Sequence, residues 1–337
     1  MSHAIRFHAP GGPEVLRWEE VPEGTQGAGV AEVAPNEARV RHHAVGLNFI
    51  DIYHRTGLYP VPLPSGIGLE GAGVVEAVGS AVSDTTGIRP GDRVAYAGGP
   101  ISPIGAYSEV RNIPADRLVK LPDAIDFRTG AAMMLQGMTA QYLLRRTCPV
   151  QAGDTILIHA AAGGVGLIVC QWARALGVTV IGTVSSDEKA ALAKAHGCDH
   201  AIIYTRENFA ERVKEITGGK GVRVVYDSIG KDTFMGSLEC LQPLGMMALF
   251  GAASGPVPLF DLGLLAKMGS LFITRPTLFT YIAQRKDLVA ISGELFDMVT
   301  SGKVKIEVNQ TYALKDAAQA QIDLVARKTT GSTVLLP

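Results

Sequence analysis

Residues 154–189 read DTILIHAAAGGVGLIVCQWARALGVTVIGTVSSDEK, and this stretch decides the fold of the second half of the chain. The apolar run Thr155–His159 predicts a buried strand, and the spacing of apolar residues over Val165–Leu176 is typical of a helix. A second apolar run, Thr179–Val184, predicts a further strand. A strand, a glycine-rich turn, a helix and another strand in this order predict a βαβ unit with parallel strands.

The glycine-rich turn matches the dinucleotide-binding pattern G-x-G-x-x-G, with Ala161 in place of the first glycine. Gly163 and Gly164 would let the backbone approach a pyrophosphate, and Gly166 would let the helix pack closely on the strand. The helix N-terminus supplies N–H groups without helical partners and a partial positive charge. An ordinary glycine-rich turn has the same composition, but the flanking strand and helix favour a dinucleotide site.

The end of the second strand indicates which dinucleotide is bound. A site for NAD carries a carboxylate there, which holds the ribose 2′-hydroxyl. Here the strand is followed by Ser185-Ser186-Asp187-Glu188-Lys189, with small hydroxyls at the strand end and a lysine nearby. We therefore predict NADPH, although Ser185 and Glu188 also match a helix capping box and Asp187 argues against a phosphate. Tyr204, at the end of the third strand, is a further candidate for this site.

The pattern of strands and helices continues through the middle of the chain and predicts an α/β fold with a doubly wound parallel sheet. The predicted strands are Thr155–His159, Thr179–Val184, Ala201–Tyr204, Arg223–Asp227, Met246–Phe250 and Ser270–Thr274. The predicted helices between them are Val165–Leu176, Asp187–His196, Glu207–Thr217 and Thr233–Leu241. A further helix is predicted before this region, over Phe127–Thr147.

The flanks of this region read differently. The first ~125 residues show short strands with Gly/Pro punctuation and little helical periodicity, which predicts a β-rich, barrel-like unit. After Arg275 we predict a helix near Asp287–Thr300, a strand near Lys305–Thr311, a helix near Lys315–Lys328 and a last strand Ser332–Leu336. These return to the first unit. We therefore predict one domain from 1–126 and 276–337, and a second from 127–275.

Composition narrows the class of protein. The chain has 337 residues, of which 47% are hydrophobic and 19% charged, with a net charge of −1 and no basic block, so we expect no nucleic-acid binding. The N-terminus lacks an apolar signal segment and no apolar run spans a bilayer, so we expect a cytoplasmic protein without a membrane anchor. The four cysteines lack zinc spacing. His42 and His43 alternate along a strand and are expected on the surface rather than as a chelating pair.

With these motifs in hand, the chain resembles the medium-chain dehydrogenase/reductase superfamily, and most closely the zinc-free NADPH:quinone oxidoreductases related to zeta-crystallin. The likeness runs nearly end to end. It is carried by GGPEVL (11–16), GLNFIDIYHRTGLYP (46–60), PSGIGLEGAGVVEAVG (64–79), PGDRVAYA (90–97), HAAAGGVG (159–166), RVVYDSIG (223–230) and GSLFITRP (269–276). The resemblance implies a GroES-like barrel domain that holds the substrate and a Rossmann domain that holds the cofactor.

The resemblance also assigns roles to single residues. Those implied to line the nicotinamide and quinone cleft are Asn48, Asp51, Tyr53, Tyr59 and Arg275. Those implied to bind the cofactor are Gln136, Thr139, Gly163, Gly164, Val165, Gly166, Ser185, Lys189, Tyr204, Phe250, Gly251, Phe272, Thr274 and Arg327. Gln136 stands where some relatives have lysine. Tyr53, Tyr59 and Arg275 are candidate hydrogen-bond donors to the substrate, although both tyrosines would also fit a purely packing role.

No metal is expected, because zinc-dependent members use a cysteine and a histidine where this chain has Asn48 and Leu69. We read the nearby Glu70 as structural. Without a Lewis acid a simple alcohol is a poor substrate, whereas a quinone accepts hydride readily, so an NADPH-dependent reductase of small quinones is expected. An NADPH-dependent enone or alkenal reductase, or a non-enzymatic NADPH-binding protein of crystallin or RNA-binding type, would share the same features. The resemblance implies a homodimer paired through the edge strand Gly269–Thr274 of the Rossmann sheet.

Overall fold

The computed structural model describes residues 2–21, 33–82 and 86–337. The chain forms two compact units. The first comprises Met1–Gln136, Ala283–Phe296 and Ile306–Pro337, and the second comprises Gly137–Ile282 and Asp297–Lys305. The chain therefore leaves the first unit within the helix that we predicted over Phe127–Thr147 and returns to it twice near the C-terminus.

The N-terminal part of the first unit is built mainly from strands. They are β1 (Ser2–Phe7), β2 (Arg17–Val21), β3 (Glu37–Leu47), β4 (Ser65–Gly66), β5 (Glu70–Val78), β6 (Arg93–Ala97), β7 (Val110–Pro114) and β8 (Val119–Lys120). A helix that our reading of the sequence missed, α1 (Phe49–Thr56), follows β3 directly. Asn48 is its N-cap, and Gly57 ends it in the left-handed conformation at φ 80°.

The middle of the chain alternates strands with helices. In chain order the elements are α2 (Phe127–Tyr142), β9 (Thr155–Ile158), α3 (Gly164–Ala175), β10 (Thr179–Val184), α4 (Asp187–Ala195), β11 (His200–Ile203), α5 (Phe209–Ile216), β12 (Val222–Asp227), α6 (Phe234–Glu239), β13 (Leu241–Leu249), α7 (Gly263–Lys267), β14 (Phe272–Thr274) and α8 (Leu278–Tyr281). Every predicted strand and helix of this region is present, with ends that differ by a few residues. The predicted helix Phe127–Thr147 is α at first and forms a π-helical turn over Leu143–Thr147.

The last part of the chain forms α9 (Arg285–Thr300), β15 (Val308–Ala313), α10 (Ala317–Val325) and β16 (Ser332–Leu336). β16 pairs antiparallel with β3, so the C-terminal strands return to the first unit, as predicted. The larger sheet of that unit has the order β15-β16-β3-β5-β6-β8, with β7 also paired to β3. A smaller sheet has the order β2-β1-β4.

The second unit contains one six-stranded sheet of order β11-β10-β9-β12-β13-β14, and every pairing in it is parallel. The chain starts in the middle at β9, proceeds to one edge at β11, then crosses to β12 and proceeds to the other edge at β14. This order confirms the predicted doubly wound sheet. Its core includes Leu157, Ile181, Val225 and Met247, all buried, so the strands carry the near-continuous apolar character of a sheet covered on both faces.

Candidate active site

The glycine-rich turn after β9 lies at the carboxyl edge of the sheet. Ala160 adopts a left-handed conformation at φ 55°, and Gly163 is the N-cap of α3. A Cβ at Gly166 would lie 2.3 Å from the Ala160 carbonyl oxygen, so only glycine allows the helix to start this close to the turn. The backbone N–H groups at the start of α3 therefore remain available for an anion, as a phosphate loop requires.

The neighbouring strand ends contact one another beside this turn. The Tyr204 N–H donates to the Val184 carbonyl at 3.1 Å, and the Thr205 hydroxyl donates to the Ser185 carbonyl at 3.1 Å. The helix cap differs from our capping-box reading of Ser185 and Glu188. The N-cap of α4 is Ser186, whose Oγ accepts from the Lys189 N–H at 3.4 Å. The box was misplaced because the helix begins at Asp187, as predicted, so its N-cap is Ser186 rather than Ser185.

Asp187, the acid that argued against a phosphate here, has a cationic partner. The Arg206 guanidinium donates to its carboxylate at 2.6 Å, and both side chains are exposed. Sequence reasoning missed Arg206, because the pair joins the start of α4 to a loop 19 residues further along the chain. A signal for Arg206 was nevertheless present in the sequence. Arg206 comes two residues after Tyr204, just beyond the end of β11, the strand that pairs with β10.

A buried polar network lies beneath the turn. The Ser237 hydroxyl donates to Asp227 Oδ2 at 2.8 Å and contacts His159 Nε2 at 2.9 Å, while His159 Nδ1 contacts the Thr183 hydroxyl at 2.9 Å. Since Ser237 has one hydroxyl hydrogen and gives it to the carboxylate, His159 must donate from Nε2 and accept from Thr183. Burial lowers the pKa of His159, so the ring is neutral.

Asp227 also fixes the loop that follows β12. Its Oδ1 accepts the backbone N–H groups of Ile229 at 2.7 Å and Gly230 at 3.0 Å, and its Oδ2 accepts the Thr233 hydroxyl at 2.7 Å. The network thus connects β9, β10 and β12 at the carboxyl edge of the sheet, where ligands bind in doubly wound folds. Neither His159 nor Asp227 was among the predicted site residues.

In the first unit, Asn48 and Glu70 meet in a buried polar cluster. The Asn48 amide donates to Glu70 Oε2 at 2.6 Å, and the Leu135 N–H donates to Glu70 Oε1 at 2.9 Å. Gln136 Nε2 donates to Asn48 Oδ1 at 3.2 Å, and the Ser332 hydroxyl lies 2.7 Å from Gln136 Oε1. Burial raises the pKa of Glu70 from 4.5 to about 8, against the hydrogen bond from Asn48 that lowers it.

Asp51 lies one turn into α1 and is fully buried. Its Oδ2 accepts the Asn48 N–H at 2.9 Å and the Tyr107 hydroxyl at 2.8 Å, while its Oδ1 has no hydrogen-bond partner among the described residues. Burial raises the pKa of Asp51 from 3.8 to about 7. The carboxyl therefore caps the helix that carries Tyr53 and orients the backbone at Asn48.

Tyr53 and Tyr59 form an edge-to-face pair with ring centroids 5.1 Å apart, and the Tyr59 N–H donates to the Tyr53 carbonyl. Tyr53 is buried and Tyr59 is half-buried. The two rings thus hold each other on α1 and on the segment after it, which brings both predicted tyrosines into one cluster.

Two neighbouring histidines of the first unit, His42 and His43, lie in different environments. His43 is exposed, as predicted, but His42 is buried between the Ser108 carbonyl and the Tyr96 hydroxyl, so its surface assignment was wrong. Strand β3 is covered on one face, and the His42 side chain lies on that face.

Among residues 2–21, 33–82 and 86–337, no three His, Cys, Asp or Glu side chains form a group that could hold a metal. Likewise, no helix within those ranges is long and apolar enough to cross a membrane.

The remaining predicted residues lie in both units. Phe250 and Gly251 directly follow β13, Phe272 and Thr274 lie on β14, and Arg275 follows that strand, so all of them sit at or near the β13–β14 end of the sheet. Thr139 is buried on α2 in the same unit. Arg327 belongs to the first unit, where it is exposed with φ 59°. Phe250, Gly251, Thr274 and Arg275 thus lie at the carboxyl ends of the neighbouring strands β13 and β14.

Comparison with known proteins places this arrangement in a family. Residues 34–123 match the alcohol dehydrogenase GroES-like domain, and residues 164–290 match the zinc-binding dehydrogenase model. The chain is 55% identical to a quinone oxidoreductase of Pseudomonas aeruginosa over 100% of both chains. It is 48% identical to a 2-haloacrylate reductase of a Burkholderia species, over 100% of this chain and 99% of that one.

A solved structure agrees with these sequence matches. The Escherichia coli quinone oxidoreductase, solved in complex with NADPH, superposes with a TM-score of 0.94 at 50% identity, covering 99% of this chain and 100% of that one. The GroES-like and Rossmann-type units are those of a medium-chain dehydrogenase/reductase. The chain belongs to the quinone oxidoreductase family of that superfamily. The resemblance inferred from its motifs is confirmed.

Proposed function

We propose that this protein is an NADPH-dependent quinone reductase, which transfers a hydride to a small quinone without a metal. The observation that carries the proposal is its full-length similarity to quinone oxidoreductases, at 50% identity or more with three bacterial enzymes. Each unit carries groups compatible with this chemistry: the second has a glycine-rich turn at the start of α3, and the first has a cluster of amide and phenol groups. When bound, NADPH supplies the hydride from its nicotinamide ring.

The turn after β9 fits a dinucleotide pyrophosphate. Gly164, Val165 and Gly166 would present backbone N–H groups to it, while Gly163, whose own N–H donates to the Ala160 carbonyl, would let the backbone approach closely. Along the same edge Phe250, Gly251, Phe272 and Thr274 would flank the nicotinamide half. Thr139 and Gln136 of α2 would contact the cofactor from the linking helix.

NADPH is preferred over NADH in this proposal because no carboxylate stands at the end of β10. Ser185, Lys189, Tyr204 and Arg327 would surround the 2′-phosphate with hydroxyl and cationic donors. The nearest acid, Asp187, is paired with Arg206, which offsets its repulsion of the phosphate. The adenosine end would therefore meet a net positive surface.

For the substrate, Tyr53, Tyr59 and Arg275 would donate hydrogen bonds to the quinone oxygens, with Asn48 orienting the ring. A hydride adds to the quinone, and one proton completes the hydroquinone. Donors placed at the developing oxyanion stabilise the transition state, since charge grows there as the hydride arrives. Asp51 would act indirectly, because its carboxylate caps α1 and fixes the backbone at Asn48.

Zinc independence follows from the same residues. Leu69 carries no donor atom, and the Asn48 amide is already hydrogen-bonded to Glu70 and Gln136. A zinc site of three protein ligands needs thiolate, imidazole or carboxylate donors in a tetrahedral set. The family model takes its name from zinc-binding members, and this chain has other residues at two of the ligand positions.

An enone or acrylate reductase is the second candidate, favoured by the 48% identity to the 2-haloacrylate reductase. The same donors would serve the carbonyl or carboxylate of an activated alkene, whose β-carbon accepts the hydride. A panel of acceptors separates the two. We expect the highest kcat/KM with a small benzoquinone, and lower values with an acyclic enone and with 2-chloroacrylate.

The reverse order, with the acrylate or the enone preferred, would transfer the assignment to the second candidate. Cofactor binding without turnover of any acceptor would indicate a non-enzymatic NADPH-binding protein. Binding of NADPH is measured in the same experiment by quenching of protein fluorescence, so that a folded but inactive protein is recognised.

The assembly we propose is a cytoplasmic homodimer joined through β14, without nucleic-acid or membrane partners. β14 is the last strand of its sheet, and two apolar side chains beside that edge are exposed, Phe272 by 55% and Leu244 by 68%. An exposed apolar edge strand is a liability that pairing with a second copy removes. The four buried free cysteines are consistent with a reducing compartment.

A further inference from the structure

Four buried polar side chains of the first unit form a continuous hydrogen-bonded row. Ser332 begins β16, Gln136 lies on α2, Asn48 precedes α1 and Glu70 begins β5. Each is at most 8% exposed. We call this row the Ser332–Glu70 row, and the distances between successive side chains are 2.7, 3.2 and 2.6 Å.

The row has a direction that the atoms themselves dictate. A Glu70 carboxylate can only accept, so the Asn48 group beside it must be the amide nitrogen. Asn48 then turns its oxygen toward Gln136, which must donate from Nε2 and accept on Oε1 from the Ser332 hydroxyl. Every orientation in the row therefore follows from the negative charge at one end.

We propose that Gln136, acting with Ser332, is a positioning residue that fixes the orientation of the Asn48 amide, and that the charge on Glu70 sets the direction of the whole row. This inference rests on the proposed function, in which Asn48 orients the quinone. This positioning role is distinct from the cofactor contact proposed for Gln136 above and from simple packing.

A neutral Glu70 would reverse the row without leaving any group unsatisfied. Because Oε1 accepts the Leu135 N–H, the acid proton sits on Oε2 and is donated to Asn48 Oδ1. The Asn48 amide then turns over and donates to Gln136 Oε1, and Gln136 Nε2 donates to Ser332. The Ser332 hydroxyl has a second acceptor for its proton, since the Ala132 carbonyl lies 3.0 Å from its oxygen.

The site favours such an exchange. Glu70 is fully buried, and Gly46 opposite it lacks the Cβ that would approach Oε2. The titratable groups facing it are Asp51, whose negative charge raises the pKa of Glu70, and Tyr96 and Tyr107, whose own pKa values are raised by burial. His42 adjoins Gly71, and burial lowers its pKa to about 3, so it is neutral whenever Glu70 titrates.

The test reads the Asn48 side-chain amide directly, in cofactor-free protein labelled with ¹⁵N at asparagine and assigned through Asn48→Asp. In the wild type we expect the Asn48 NH₂ signals to move in a single step near the Glu70 pKa of about 8. In Glu70→Gln the new side-chain amide must accept the Leu135 N–H with its oxygen and donate to Asn48 Oδ1 with its nitrogen. The signals should then stay at the low-pH position of the wild type throughout the titration.

Two variants separate Gln136 from its surroundings. Gln136→Leu should lower kcat for quinone about tenfold, the cost of one lost hydrogen bond. Gln141→Leu is the matched control, because Gln141 is a buried glutamine of the same helix outside the row. Asp51→Asn should shift the midpoint of the Asn48 step without abolishing it, since Asp51 contributes charge but does not belong to the row.

An Asn48 signal that does not move while the Glu70 carboxyl titrates would overturn the proposal, as would a step that persists in Glu70→Gln. Equal losses of kcat in Gln136→Leu and Gln141→Leu would reduce Gln136 to a packing residue. The amide titration does not involve quinone turnover. A protein that shows the titration but reduces no quinone would therefore refute the proposed function and leave the row intact.

Discussion

At the scale of single residues, the proposed selection of NADPH depends on charges at the ends of β10 and β11. Asp187 lies beside the predicted 2′-phosphate position, and Arg206 holds it at 2.6 Å. Both side chains are exposed, so their mutual attraction adds little to stability. Its consequence is local, because the pairing with Arg206 offsets the negative charge of Asp187 beside the predicted 2′-phosphate position.

Replacing Lys189 with glutamate should weaken NADPH binding by a factor of about ten or more, because a charge-assisted hydrogen bond of about 1.5–3 kcal/mol is lost. NADH lacks the phosphate, so its affinity should stay within about twofold. Titration of both cofactors by fluorescence measures this directly. Lys194→Glu, in the last turn of the same helix, is the control and should change neither affinity. Equal weakening of both cofactors by Lys189→Glu would contradict the phosphate assignment.

Glu70 and Asp51 predict how stability depends on pH. Burial raises the pKa of Glu70 from 4.5 to about 8 and that of Asp51 from 3.8 to about 7. Between the unfolded and folded values the folded protein binds more protons, so rising pH favours unfolding. Between about pH 5 and about pH 9 the free energy of unfolding should fall by about 4 kcal/mol through Glu70 and about 3 kcal/mol through Asp51.

Urea denaturation of wild type and Glu70→Gln over that range checks this expectation. The variant should show a shallower fall, because its amide does not titrate, while Glu76→Gln, which removes an exposed carboxyl, should follow the wild type. A stability that rises with pH, or identical curves for wild type and Glu70→Gln, would contradict the assignment.

Sequence reasoning found residues in local motifs more easily than residues joined across the fold. The local motifs of the glycines and Asn48 indicate their roles. His159 and Asp227 also stand in quoted motifs, but they and Arg206 matter through contacts made only in the folded chain. The interval between His159 and Asp227 contains several elements, and no local pattern pairs them. For the same reason the burial of His42 was misjudged, since which face of β3 is covered depends on strands that come later in the chain.

At the scale of elements, the start of α3 depends on a glycine. Gly166→Ala would place a Cβ 2.3 Å from the Ala160 carbonyl oxygen, a backbone atom that can yield only if the turn moves. We expect a loss of about 2 kcal/mol in stability and a large loss of dinucleotide affinity. Gly293→Ala, on α9 with nothing near the added Cβ, should instead be neutral or stabilising by about 0.5–1 kcal/mol.

Thermal unfolding and cofactor titration of the two alanine variants provide the comparison. Full dinucleotide affinity in Gly166→Ala would show that the turn is not a phosphate loop. Loss of affinity in Gly293→Ala would show that the effect is general destabilisation rather than a local one.

The elements of the second unit were predictable because its strands are mostly apolar and its helices are separated from them by turns. The parallel order follows, since right-handed crossovers leave few alternatives. Helix α1 was missed because it is only eight residues long and lies between strands. Its signals were present, with Asn48 and Asp51 three residues apart at the start and Gly57 at the end, and they outweigh periodicity in a helix this short.

At the scale of the whole molecule, the proposed homodimer depends on β14. Sedimentation velocity should give a dimer for the wild type and a monomer for Phe272→Asp, because a charge on an apolar edge strand opposes pairing. Met235→Asp is the control, since Met235 is exposed by 45% on α6 and its replacement should leave the dimer intact. A monomeric wild type would contradict the assembly.

The two compact units differ in their bounds from the domains predicted, because residues 127–136 lie in the first unit and residues 276–282 and 297–305 lie in the second. The changeover points could not be read from sequence, because α2 belongs to both units and the packing of the folded chain, rather than any residue pattern, decides where one unit ends. Membership in the quinone oxidoreductase family, by contrast, was legible from short motifs distributed over the chain.

The most direct test of the central claim is the oxidation of NADPH by purified protein, followed optically with a small benzoquinone and excess EDTA. We predict turnover that EDTA does not diminish and that is markedly slower when NADH replaces NADPH. No turnover with any quinone, or activity that EDTA abolishes and zinc restores, would contradict a metal-free NADPH:quinone reductase.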